Sequence, residues 1–210
     1  MIATYSLDRA TKTLSDAAGR CFDPARRIWT NAESPARGVA LDTVAAATWL
    51  QRESGYPLRV PIGVIGPRDA SGPQVAAAAA VGRGLAEIGF LVICGGRQGI
   101  MEAVCKGAAE AGGTTIGLLP DVEPSLANPY VSVVIATGIG EARNALIARS
   151  ALCLVAIGDS FGTLSEVALG RQFGKLVIGL EGAPRVDGVQ HAACVVDAVR
   201  LVAEYALSGT

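Results

Sequence analysis

Residues 90–119 read FLVICGGRQGIMEAVCKGAAEAGGTTIGLL, and they decide the fold. The stretch opens on an apolar run at 90–94 and bends through Gly95, Gly96 and Gly99. A helix-forming segment over 98–111 follows, stopped by Gly112-Gly113, and a β-branched run returns at 114–119. An apolar run without polar alternation suits a strand covered on both faces, the environment of a parallel sheet. The glycine pair supplies the left-handed cap that ends a helix. These residues spell one strand–helix–strand unit.

The same alternation repeats on either side. Strands are expected at 59–65, 131–135, 152–157 and 176–180, and helices at 73–88, 141–150, 162–173 and 193–207. Pro73 stands in a first helical turn, where proline is tolerated. Residues 58–210 therefore predict an α/β domain, doubly wound and Rossmann-like, with a mostly parallel sheet flanked by helices. Residues 1–57 lack the pattern. There, 38–53 predicts a helix with Leu41, Val44, Ala45, Thr48 and Trp49 on its apolar face, and 11–24 a hairpin about Ala18-Gly19 or a loop. This extension is expected to cover a sheet edge or a subunit interface; a second option has Arg26, Arg27 and Trp29 reaching a neighbouring ligand site.

Composition narrows the function classes. Half of the 210 residues are hydrophobic and the formal charge is −1, so a core can form. No basic face for nucleic acid is expected. A single histidine excludes sites needing two, such as H-E-x-x-H zinc hydrolases, and no metal site is expected. The lysines, Lys12, Lys106 and Lys175, do not end a glycine loop, so there is no Walker A motif. Five cysteines (Cys21, Cys94, Cys105, Cys153, Cys194) form no C-x-x-C pair and suit a reducing compartment. The N-terminus lacks the apolar region of a signal peptide, and no stretch reaches the roughly 20 apolar residues of a membrane helix. A cytoplasmic protein without a membrane partner is expected.

The 26 glycines gather where chemistry is expected. Ligands of open parallel sheets bind beyond the carboxyl ends of strands, where glycine turns expose backbone N–H groups to a phosphate at a helix start. Gly66 and Arg68 follow the first strand; Gly95, Gly96, Arg97 and Gly99 follow the second. Thr137, Gly138 and Asn144 surround the start of the helix bearing Arg143 and Arg149. Gly158, Asp159, Ser160, Gly162 and Thr163 follow the fifth strand. These are the candidate phosphate-binding residues, and arginine's planar fork recognises phosphate bidentately. The first turn is not G-x-G-x-x-G, and Pro67 removes a donor, so a conventional NAD enzyme is not expected. Met101 is expected to pack below its turn, His191 to lie at the surface, and Asp121 and Glu123 in a solvated loop. Asn128-Pro129-Tyr130 is a candidate pocket wall.

With those residues in place, GGRQGIMEAVCKGAAEAGG (95–113) resembles the G-G-x-x-G-x-M signature of the LOG-like family, also called lysine-decarboxylase-like. GDSFGTLSE (158–166) stands where that family has P-G-G-x-G-T-x-x-E, and EARNALIARSA (141–151) resembles its arginine-bearing helix. NPYVSVVIATGIGEARN (128–144) looks closer to a branch that includes molybdenum-cofactor carriers. The resemblance runs from about Val60 to Leu180. It implies a catalytic pair, Arg143 and Glu166, and a phosphate turn at Gly162 and Thr163, for cleaving the N-glycosidic bond of nucleoside 5′-monophosphates. A carboxylate there can stabilise the charge that develops on the ribose ring.

The sequence departs from that pattern where the ligand is contacted. Gly158-Asp159-Ser160 replaces Pro-Gly-Gly, Ser165 replaces the first glutamate of the usual pair, and Asn144 replaces a lysine. An aspartate beside a phosphate is repulsive unless neutralised. Two functions follow. One is binding of a phosphorylated, nucleotide-like small molecule, with the molybdenum cofactor as the candidate carried ligand; the other is a nucleoside-monophosphate phosphoribohydrolase. Decarboxylation is disfavoured, because Lys106 and Lys175 lie in no recognisable pyridoxal site. Relatives assemble through their arginine-bearing and following helices, so a homo-oligomer, dimer or tetramer, is expected.

Overall fold

The computed structural model describes residues 4–32 and 38–209. Residues 1–3, 33–37 and 210, which fall within the two segments expected above, lie outside the described residues. The chain divides into two compact units, Met1–Leu58 with Arg200–Thr210, and Arg59–Val199. The last eleven residues thus group with the N-terminal segment.

The smaller unit is an antiparallel sheet of β1 (Tyr5–Asp8), β2 (Thr13–Ser15), β3 (Cys21–Asp23), β4 (Ile28–Thr30) and β5 (Val39–Leu41), in the order β4-β3-β2-β1-β5, with α1 (Thr43–Arg52). Three turns share one device. Asp8, Asp16 and Asp23 accept the amides of Ala10, Ala18 and Ala25 at 2.8, 3.0 and 2.9 Å, so each D-x-A closes an Asx turn. The amides of Ala10 and Thr11 hold the Asp8 carboxyl below its usual range. The 11–24 segment is therefore a hairpin. The expected 38–53 helix is corrected: it starts at Thr43 because Asp42 caps it, accepting from Ala45 N at 2.7 Å. Val39–Leu41 instead pairs with Tyr5–Leu7. Trp29 stacks on Tyr5 at 5.9 Å and donates to Leu207 O at 2.7 Å, while Arg27 Nη2 donates to Tyr56 O. Both residues use these donors inside this unit.

The larger unit alternates strand and helix. Its strands are β6 (Ile62–Ile65), β7 (Val92–Cys94), β8 (Thr115–Leu119), β9 (Val133–Ala136), β10 (Leu154–Ile157), β11 (Val177–Leu180) and β12 (Val189–His191). Its helices are α2 (Gly72–Ile88), α3 (Ile100–Glu110), α4 (Asn144–Ser150), α5 (Phe161–Gln172) and α6 (Val195–Leu207), the last continuing into residues counted with the smaller unit. The seven strands run β12-β11-β10-β6-β7-β8-β9. Every neighbouring pair is parallel. Strands β6, β7, β10 and β11 are buried throughout, which is why their sequences are continuous apolar runs.

Two details depart from the expected elements. β12 forms over Val-Gln-His, too short and polar to signal a strand. The helix expected at 141–150 divides into a 3-10 turn, Gly140–Arg143, and α4. Helices α2 and α3 meet backbone to backbone, since a Cβ at Gly107 would collide with Ala79 O and one at Gly82 with Val104 O. Gly107→Ala is accordingly expected to cost about 1–3 kcal/mol by overpacking, read as a lower thermal midpoint of unfolding.

Candidate functional site

The order of the strands fixes where a site can form. From β6 the chain winds outward through β7, β8 and β9, then returns to β10 on the other side of β6 and continues to β11 and β12. At this reversal the loops leaving β6 and β10 turn to opposite sides and open a crevice beyond the strand ends. A cavity of about 680 Å³ lies there. Its wall draws on Ile65 at the end of β6 and residues 66–69 after it, Gly95 after β7, Glu141, Arg143 and Asn144 before and at the start of α4, and Asp159–Thr163 with Ser165 and Glu166 on the loop and helix after β10.

Local hydrogen bonding fixes the β10–α5 turn. Ser160 caps α5: its Oγ accepts from Thr163 N at 3.1 Å and meets Thr163 Oγ1 at 2.9 Å. Leu164 N donates to Ser160 O. The amides of Phe161 and Gly162, in the first turn, have no intrahelical acceptor, and the helix dipole makes that end positive.

Arg143 ends the 3-10 turn with only 4% of its surface exposed. Nη1 donates to Asn144 Oδ1 and, at 3.4 Å, to Glu166 Oε1. Nε is buried without a partner among the described residues. Asn144 Nδ2 in turn donates to Ser165 Oγ at 3.1 Å, and Ser165 Oγ donates to Gly162 O at 2.7 Å. The arginine is thereby tied to the start of α5. It also lies across the β7 turn: a Cβ at Gly95 would collide with Arg143 Nη2 and stand 2.7 Å from Met101 Sδ. Only glycine lets the guanidinium rest there.

Burial dominates the electrostatics of Glu166, pushing its carboxyl up to about 8; Arg143 opposes the shift and Glu141 adds to it. Below that pH Glu166 is mainly the neutral acid, whereas arginine stays charged at any accessible pH. The Arg143–Glu166 contact near neutrality is thus a hydrogen bond between a cation and an acid. The cation's charge is left uncompensated by its neighbour. A buried charge without a counter-charge is costly, and an anion entering the cavity would relieve that cost.

The sequence-expected residues divide into two sets. Gly66, Arg68, Gly95, Arg143, Asn144, Asp159, Ser160, Gly162, Thr163 and Glu166 line the cavity. Asp159 is exposed, and Arg68 Nη2 stands 4.0 Å from Glu141 Oε1 at a solvated position. Gly96, Arg97, Gly99, Thr137, Gly138 and Gly158 are not among the residues that line the cavity. Arg97 pairs with Asp121, and Asn128 anchors the β7 turn by donating from its amide to Gly96 O and from Nδ2 to Arg97 O. Ile100 N, following Gly99, donates to Pro67 O. Thr137 Oγ1 donates to Leu119 O, Gly138 N donates to Asp121 O, and Gly158 packs against Gln74. Asp69, Glu141 and Phe161 line the cavity as well; Phe161 stands inside the 158–162 glycine turn, of which only the glycines and polar residues are expected from the sequence to meet a ligand, whereas Asp69 and Glu141 belong to no glycine turn or apolar period. His191 is exposed at the end of β12, and Met101 is buried at the cavity floor.

A wholly parallel doubly wound sheet, with its cavity at the point of strand reversal and a buried arginine across a glycine turn, defines a Rossmann-type protein of LOG-like architecture. Residues 59–204 match the model of the SLOG cluster4 family (LDcluster4), and the chain belongs to that family. Among solved structures it is similar to the molybdenum cofactor carrier protein MCP of Chlamydomonas reinhardtii, with 39% identity and a TM-score of 0.65 over 70% of this chain and 98% of that one. It is also similar to the molybdenum cofactor binding protein of the phototrophic bacterium Rippkaea orientalis, with 34% identity and a TM-score of 0.65 over 69% and 96%. An uncharacterised protein of Archaeoglobus fulgidus is 37% identical over 129 residues, 61% of this chain and 85% of that protein. DNA processing protein A of Streptococcus pneumoniae, 18% identical with a TM-score of 0.54 over 66% and 60%, shares the fold. Among the described residues no helix is long and apolar enough to cross a membrane.

Proposed function

We propose that this protein binds a phosphorylated, nucleotide-like small molecule in the cavity between the ends of β6 and β10, and that the carried molecule is the molybdenum cofactor. The observation that carries the proposal is Arg143, a buried cation that lines a cavity whose other wall is the positive end of α5. The amides of Phe161 and Gly162 and the Arg143 fork are suited to one phosphate. The cavity volume lies within the range of small-molecule sites. The likeness, at 34–39% identity, to proteins described as binding or carrying the molybdenum cofactor supports the choice of cargo. The exposed Leu146 and Leu164 on α4 and α5 support a homo-oligomer.

A second reading, hydrolysis of nucleoside 5′-monophosphates, draws on the Glu166 carboxyl: acids displaced to about 8 beside an arginine are typical of catalytic sites. One paired experiment separates the two. The protein is mixed with molybdenum cofactor released from a donor enzyme and passed through gel filtration, and in parallel incubated with nucleoside monophosphates while free base is assayed. Co-elution of molybdenum with the protein and no base release is expected. Base release that disappears in Glu166→Gln would establish the hydrolase instead. Failure of every phosphate ester to bind would overturn both.

A further inference from the structure

Phe161 is the first residue of α5, it lines the cavity, and it is 94% exposed. The remaining apolar lining residues, Ile65, Pro67 and Met101, are buried. The rim is otherwise made of Arg68, Asp69, Glu141 and Asp159, side chains that water solvates well. A bare aromatic ring at a polar rim has no role in the packing of this unit. It also cannot serve the phosphate, because Phe161 contributes to anion binding only through its amide. The ring and the amide belong to one residue, so the ring is within reach of a group esterified to a phosphate held at the α5 N-terminus.

We infer that Phe161 selects phosphate esters whose attached group is a planar heteroaromatic ring, which stacks on its exposed face at the cavity mouth. This inference rests on the phosphate-binding reading above and adds to it the feature that tells one phosphate ester from another. Base-on-aromatic stacking tolerates many ring types because each presents a π-face. Inorganic phosphate and phosphorylated sugars would use Arg143 and the α5 amides and gain nothing from Phe161. Ser160, by capping α5, fixes the backbone that carries the ring.

Calorimetry with inorganic phosphate, ribose 5-phosphate and guanosine 5′-monophosphate, on wild type, Phe161→Ala and Phe161→Trp, tests the inference. The wild type is expected to bind the nucleotide about tenfold more tightly than ribose 5-phosphate. Phe161→Ala should bring that ratio close to one, and Phe161→Trp should keep or raise it. A ratio unmoved by Phe161→Ala would overturn the inference. So would a fall in oligomeric mass by light scattering with the ratio unmoved, which would make Phe161 a contact between copies of this chain. If ribose 5-phosphate fails to bind the wild type at all, the phosphate reading itself falls and this inference with it.

Discussion

Binding of a phosphate monoester is expected to hold level up to about pH 7.5 and then weaken as the pH passes 8, with Glu166→Gln abolishing the decline. The sign follows from the direction of the Glu166 shift. Burial raises its carboxyl to about 8, so below that pH the cavity contains the Arg143 cation beside a neutral acid. Above it, a carboxylate neutralises the arginine and faces the incoming anion. A unit charge about 6 Å from the phosphate, at an effective dielectric near 20, is worth roughly 2–3 kcal/mol, on the order of 30- to 150-fold in Kd. The ligand does not confuse the profile, because a phosphate monoester has already lost its second proton by about pH 7. Affinity measured from pH 6.5 to 9.5 for both forms checks this. A decline that persists in Glu166→Gln would assign it to another group. The same titration separates the two functions: if Glu166 acted as a general base, turnover would rise through pH 8 where binding falls.

The shift has a consequence for stability with the same origin. A carboxyl whose folded value lies above its unfolded one favours the folded state fully below the unfolded value, about 4.5. That contribution is lost as the pH rises through about 8. Glu166→Gln should therefore gain stability relative to wild type as the pH rises from about 4.5 to about 8, and keep that gain above it.

Much of this was legible in the sequence, and the reasons differ by element. The strands of the larger unit are buried on both faces, so their apolar runs report the parallel sheet directly. The arginine, the glycine turns and Glu166 lie in motifs whose spacing survives in the fold. Phe161 was not legible as a cavity residue, because an aromatic next to a helix cap ordinarily packs inward. The division between lining and supporting glycines was hidden for a different reason. Gly95 faces Arg143, whereas Gly96 faces Gly117 and Leu119, and adjacent residues in a turn carry no mark of which way they point. The N-terminal meander did have a signal, the D-x-A triplets at Asp8, Asp16 and Asp23, each an Asx turn. Its strands are three or four residues long, too short for periodicity to register.

Arg143→Met is expected to abolish phosphate binding while leaving the fold as stable as wild type or more so. The two effects have opposite signs because the arginine is held in an unfavourable state in the empty site. The residue is 4% exposed, Nε has no partner among the described residues, and its carboxyl neighbour is mainly neutral near pH 7. A methionine of similar length removes that desolvation cost and packs beside Met101, and replacing buried ionic groups by apolar ones of similar volume often stabilises by about 1–4 kcal/mol. The ligand loses its buried counter-charge, which at comparable sites costs roughly 2–5 kcal/mol, on the order of 30- to several-thousand-fold in Kd. Arg143→Lys should fall between, because it keeps the charge but not the fork that Gly95 leaves room for. Urea unfolding and phosphate-ester titration on the three proteins decide the matter. If Arg143→Met lost more than about 2 kcal/mol, the arginine would be a structural member of the Asn144–Ser165 network. If it kept wild-type affinity, the phosphate would have to sit elsewhere, and the α5 N-terminus would have to hold it without the arginine.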